Sequence, residues 1–373
     1  MTGLGLIETK RLAKMPGRFH ARHEFCFHLH DSMLSLFHDL AQQRFPTIQI
    51  DFENSEEFER FQSAPDPISY FLETDREVAK RLSVGQAMMA TFSDFFNFVY
   101  EGLIALEKRK FVVAYALLRK PLKENLLLLT MMLVDDEEFF ARLEKSPAAN
   151  FGHPGVQDTH RKDYFRRAKE MVPYSDFLDA GFLHDLIFDV SLAAGLAPLF
   201  DTATHLVTNR AAIRTKDLNL NFVFKDPADN DVYETIYNAL GYILLYALLL
   251  EIELFKKADL DGAHVSKWFA MTGLGAYHAL FLKGQSPLVT SLNRTFGDLL
   301  TCPHCDAKLR ITKRGAARFF VVHKLLCKSC GREHDFPLFW LMSKAEWQIF
   351  DDGAPGEEED QAPKQERSRP AKR

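Results

Sequence analysis

A chain of 373 residues is long enough for two or three domains, or for one large body with an appendage. Its apolar share of 47% and charged share of 26% belong to a globular protein and exclude a disordered or collagen-like chain. A net charge of −5 excludes a surface that is basic throughout, so contact with nucleic acid or an anionic membrane has to come from a local patch. The longest apolar runs, 126–134 and 239–250, are shorter than the roughly 20 residues of a membrane span. Residues 1–22 lack the apolar core of a secretory signal. With four of five cysteines in two C-x-x-C pairs and Cys26 alone, the cysteine usage points to a reducing compartment. The expectation is a cytoplasmic protein with no membrane partner.

The chain opens with a histidine-rich run. Between residues 18 and 30 lie His20, His23, Cys26, His28 and His30, with Phe25, Phe27 and Leu29 alternating against the last three. Period-two alternation predicts a strand with one polar face, serving either as plain structure or as a second metal site. A helix is expected from Ser32 to Arg44, then an acidic loop from Asp51 to Glu59. Thr74-Asp-Arg-Glu77 reads as a capping box that opens a helical body. Apolar residues at helical spacing from Val84 to Glu107, a basic turn at 108–110 and a second apolar segment from Phe111 to Val134 predict an antiparallel helical hairpin.

Past a Pro- and Gly-bearing loop over 146–163, shorter helical runs follow to residue 207, and Asn219 to Phe224 has strand-like alternation. Asp231-Val-Tyr-Glu234 reads as another capping box, opening an almost wholly apolar helix to Lys257 that should be the buried centre. The pentapeptide Met-Thr-Gly-Leu-Gly occurs at 1–5 and again at 271–275 with no repeat around it. Gly273-Leu-Gly275 is too short for a phosphate-binding loop and follows no strand. Ser343-Lys-Ala-Glu346 reads as a third capping box, and the charged, Pro-bearing tail from 352 as disordered.

The most specific signal is Cys302-Pro-His-Cys305 with Cys327-Lys-Ser-Cys330-Gly331, two C-x-x-C pairs separated by 21 residues. This is zinc-ribbon spacing: each pair supplies two thiolates on one edge of a tetrahedron, and a hairpin joins the two knuckles. Structural Zn²⁺ is therefore expected on Cys302, Cys305, Cys327 and Cys330. The hairpin between them should carry Arg310, Lys313, Arg314, Arg318 and Lys324, with Phe319 and Phe320 interleaved. Such a face can attract nucleic-acid phosphates and stack a base, or it can simply solubilise a small module that contacts a protein partner.

Two further candidates lie in the body. Arg119-Lys-Pro-Leu-Lys-Glu-Asn125 is a charged island inside an apolar helix, where Pro121 should kink the chain. Lys120 and Glu124, four apart, should pair, while Arg119 and Glu124, five apart, should face different ways. His205, with Arg210 and Arg214, has the residue types of a general base beside an anion site.

Ala116-Leu-Leu-Arg119, Glu124-Asn-Leu-Leu-Leu and Thr204-His205-Leu-Val-Thr resemble stretches of bacterial HEPN-like helical proteins, over residues 80–255. That resemblance implies a helical body and, as an alternative to a binding role, a metal-independent ribonuclease drawing on Arg119, Glu124 and His205. The ribonucleases of that family place a His a few positions after an Arg. Here His205 precedes Arg210, whereas Arg22 with His28 and Arg318 with His323 have that order. The reading is a mainly α protein: residues 1–73 as a strand and helix region, 74–300 as a multi-helix bundle, 301–350 as a small C-terminal β zinc ribbon with a closing helix, and 351–373 as tail.

Overall fold

The computed structural model describes residues 3–42, 45–145, 150–151, 156–207, 230–259, 263–284 and 286–336, with positions 214, 215, 217, 218 and 220–222 between. The third capping box, the closing helix and the tail lie outside the described residues, as do eight of the 18 residues of the expected loop at 146–163 and half of the strand expected at 219–224; the last six residues of that loop, from Asp158, are helical.

The architecture is mainly α with a small C-terminal β element. Helix α1 runs from His20 to Gln42, so the alternating run is not a strand. Phe25, Leu29, Met33 and Leu36 recur at three- and four-residue spacing and are all buried, and that helical period wins. Six residues were too few to separate the two periods, because His23 and His30 are buried too and hide the polar face. At the start of this helix the Glu24 carboxylate accepts from the backbone N–H groups of Leu4, Gly5, Leu6 and Ile7, which ties the first residues onto α1.

The expected acidic loop instead contains α2 (Ser55–Ser63), started by Asn54, whose side chain accepts from the Glu57 amide at 2.9 Å. It is followed by α3 (Pro67–Thr74) and α4 (Arg76–Glu107). The cap of α4 is Asp75, accepting from the Glu77 and Val78 amides, and not Thr74, whose hydroxyl donates back to the Tyr70 carbonyl at the end of α3. A second, smaller apolar cluster of Tyr70, Phe71, Ala79, Leu82 and Phe140 holds this corner together.

Helices α5 (Phe111–Lys120) and α6 (Leu126–Val134) continue one rod that packs back along α4, the expected hairpin. Then come α7 (Asp136–Glu144), α8 (Asp158–Met171), α9 (Ala180–Phe188) and α10 (Ala197–Thr204). Helix α11 (Asp231–Lys257) is the centre: every residue from Ala239 to Ile252 is buried, with α1, α6, α9 and the following α12 (Ala263–Phe281) around it. It is long and apolar enough to cross a membrane, but 89% of its most apolar window is buried against protein. Its expected capping box does not form, because Asp231 is already helical and the Asn230 side chain accepts from Arg109 instead.

After α13 (Pro287–Phe296) the chain enters the cysteine region, where the expected hairpin between the knuckles is replaced by a helix, α14 (Lys313–Val322). Strands β1 (Lys324–Leu326) and β2 (Glu333–Asp335) pair antiparallel around the second knuckle only, with Leu325 opposite His334. Helix α14 packs on α12 at Gly275, where even a Cβ would lie 2.6 Å from the Phe320 ring. One core cluster therefore runs from α1 through α11 and α12 to Leu300, Cys302, Phe319, Phe320 and Cys327, across the expected boundary at 300.

Candidate metal centre

Each C-x-x-C pair sits in a tight turn closed by the backbone. In the first, the Asp306 amide donates to the Cys302 carbonyl and the Cys302 amide to that of Ala307; in the second, Gly331 donates to Cys327 and Cys327 to Arg332. The residue after each pair is left-handed, Asp306 at φ 55° and Gly331 at φ 73°. Glycine was the expected solution at the second knuckle. Asp, which tolerates this region better than most residues, serves at the first.

The two turns bring all four sulfurs within 4.8 Å of one another. Cys302 Sγ and Cys330 Sγ are 3.7 Å apart, as are Cys305 Sγ and Cys327 Sγ. A tetrahedral ion with metal–sulfur bonds of about 2.3 Å needs sulfur–sulfur edges of about 3.8 Å, so the four residues can hold a metal ion together. Among the described residues this is the one group of three or more such ligands gathered tightly enough to do so. Cys302 and Cys327 are buried against the body, Cys305 is exposed, and Cys330 is half-buried. His334 Nε2 lies 3.0 Å from Cys302 Sγ, a neighbour that the cysteine spacing did not reveal.

Among the described residues the N-terminal histidines are not gathered into a second metal-binding group. His20 meets the Met15 carbonyl at 2.9 Å, and His30 lies between Asp31 and the Phe96 carbonyl. His23 bridges Tyr237 Oη at 2.6 Å and Glu107 Oε1 at 3.3 Å, and Glu107 also takes Arg11 at 2.5 Å. Burial pushes the His23 imidazole below its ordinary value against the pull of Glu107. Burial also opposes ionisation of Glu107, yet His23 and Arg11 hold its carboxyl below the ordinary value. Because His23 and Glu107 are almost inaccessible, this network joins α1, α4 and α11 and offers nothing to a substrate.

The basic face is narrower than the sequence suggested. Arg318 forms a two-armed pair with Glu333, Lys324 lies 3.7 Å from Asp335, and Lys308 lies 3.1 Å from Asp298. Lys313 donates to the backbone carbonyls of Leu282 and Gly284. Arg310, Arg314 and Lys328 are exposed, and among the described residues no carboxylate pairs with them. Phe319 and Phe320 are fully buried, because the helix turns them onto α12, so neither can stack on a base.

The charged island in the body takes an unexpected form. Pro121 has no N–H to give, and the chain widens into one π-helical turn from Pro121 to Asn125, with the Leu126 amide donating to the Pro121 carbonyl five residues back. In a turn of that width residues five apart share a face, so Arg119 pairs with Glu124 at 3.2 Å. Lys120, expected to take Glu124, reaches Asp94 at 2.7 Å instead. His205 ends α10 half-buried, its carbonyl accepting from the Asn221 side chain. Among the described residues no hydrogen bond or ion pair joins it to Arg119 or Glu124. Arg210 lies outside the described residues, and Arg214 is exposed.

Comparison with protein-family models, with curated proteins and with solved structures finds no match to this chain.

Proposed function

We propose that this chain is a binding protein whose C-terminal element is a zinc ribbon, with Zn²⁺ on Cys302, Cys305, Cys327 and Cys330 in a structural role, working in a reducing compartment where the thiols stay available to metal. The observation that carries the reading is the gathering of four sulfurs at tetrahedral spacing with no room among them for a substrate. Four protein ligands close the coordination sphere, which is the arrangement of a structural and not a catalytic ion.

The partner we infer is nucleic acid, engaged through its phosphates. Arg310, Arg314 and Lys328 supply charge that no carboxylate among the described residues pairs with, and Lys313, Arg318 and Lys324 lie behind them, partly spent on internal partners. With Phe319 and Phe320 buried, the contact is electrostatic and insensitive to base sequence. A ribonuclease site built on Arg119, Glu124 and His205 has the Arg119–Glu124 pair, but no contact among the described residues brings His205 to it.

Fluorescence anisotropy with single-stranded and duplex oligonucleotides tests this. Binding should appear at low salt and weaken as salt rises. Reversing Arg310, Arg314 and Lys328 to Glu should lower the salt slope by about one for each phosphate that the variant no longer neutralises. Binding unchanged in the triple variant removes nucleic acid as the ligand of this face. Cleavage of RNA by wild type but not by His205→Ala would favour the enzyme instead.

A further inference from the structure

We propose that His334 is the positioning residue of the metal centre, donating Nε2–H to the Cys302 thiolate without binding the metal itself; this rests on the zinc reading above. The strand pair aims it. On β2, Glu333 and Asp335 point outward to Arg318 and Lys324, and the pleat therefore turns His334 the other way, onto the same face as its partner Leu325. On that face its Nε2 lies 3.0 Å from Cys302 Sγ. The four sulfurs alone supply the four ligands that a tetrahedral ion needs, and the imidazole meets one of them, Cys302 Sγ.

The physical need is charge. Four thiolates around one divalent cation carry a net charge of about −2, and Cys302 is, with Cys327, one of the two buried ligands, where water cannot screen it. A donor from the imidazole spreads that charge and fixes the sulfur lone pairs toward the ion. Cys305 is exposed to water and Cys330 is half-buried; Cys327 is as buried as Cys302, but it is Cys302 that His334 meets. Groups placed behind a ligand in this way are worth about 10–100-fold in metal affinity.

Cobalt(II) in place of zinc makes the proposal visible. The wild-type chain should show the d–d bands of a four-sulfur tetrahedral site and intense sulfur-to-cobalt charge transfer. In His334→Ala the d–d bands should hold their positions, because the ligands are unchanged. The charge-transfer bands should move to lower energy, because an undonated thiolate gives up its electron more easily. Zinc affinity, measured by competition with a chromophoric chelator, should fall about 10–100-fold. His334→Gln, which keeps an N–H at similar reach, should restore the band position at least in part.

Three results overturn the proposal. Charge-transfer bands unmoved in the Ala variant, with affinity reduced and no rescue by Gln, make His334 a packing residue only. Bands and affinity both unchanged remove any role. Wild-type d–d bands of a three-sulfur, one-nitrogen site make His334 a ligand. Failure of the wild-type chain to bind cobalt at all is a separate result, and it sinks the zinc reading itself.

Discussion

Helix α11 and the cysteine element both pack on α12, yet they are held by opposite means. Along α11, 14 consecutive residues from Ala239 to Ile252 are out of water, and stability is spread over many small apolar contributions. From Thr301 to Phe336 there are two three-residue strands, one ten-residue helix and a pair of knuckles closed by two backbone hydrogen bonds each. So little secondary structure cannot define itself, and a metal ion held by the four sulfurs would concentrate the stabilisation at one point. Distributed burial tolerates a local loss, whereas a point of attachment does not.

The largest expected effect follows from that contrast. Structural zinc contributes about 10–16 kcal/mol in small finger peptides, so Cys327→Ser or a strong chelator should open residues 301–336 to protease. Amides of α4 and α11 should keep their hydrogen-exchange protection in the same sample. Protease resistance after residue 300 that survives with metal content at zero would show that apolar packing alone holds this element.

The next test concerns the seam between the two regions. Phe320 has no exposed surface and rests on Gly275 of α12. Phe320→Ala should cost about 3–5 kcal/mol, read as a lower urea midpoint for the whole chain. A loss confined to residues 301–336, with the helical transition unmoved, would mean that the shared core does not couple them energetically.

The smallest effect concerns α11 itself. Glu251 is fully buried, neither carboxylate oxygen has a hydrogen-bond partner among the described residues, and burial pushes its carboxyl well above the ordinary 4.5. A raised acid keeps its proton to higher pH in the folded chain than in the unfolded one. Stability from this group is thus full below about pH 4.5 and declines as pH rises toward the folded value. Glu251→Met should stabilise the chain by about 1–3 kcal/mol at about pH 8, with a smaller gain at about pH 5. A gain independent of pH would assign the effect to packing.

The cysteine spacing and the apolar run of α11 were legible because each constraint is local: two thiolates per turn, and a stretch too apolar to face water. The helical hairpin of α4 with α5 and α6 was legible for the same reason. The pairing of Arg119 with Glu124 was not, since it needs the π turn that Pro121 imposes on a packed helix, where the ordinary four-residue rule no longer holds. Nor was the burial of Phe319 and Phe320, which follows from a helix where a hairpin was expected. His334 carries no signal in the spacing of the cysteines, and only the strand pair brings it to Cys302.

Gly-Leu-Gly shows where the division falls. At 3–5 it bends with Gly5 at φ 91° around the Glu24 carboxylate; at 273–275 it lies inside α12, and Gly275 admits the Phe320 ring. Amino-acid order by itself determined which residues seek metal and which avoid water, because those preferences belong to single side chains and their near neighbours. The packing of helices from distant parts of the chain decided the rest, because a backbone with more than one accessible conformation takes the one that its neighbours leave room for.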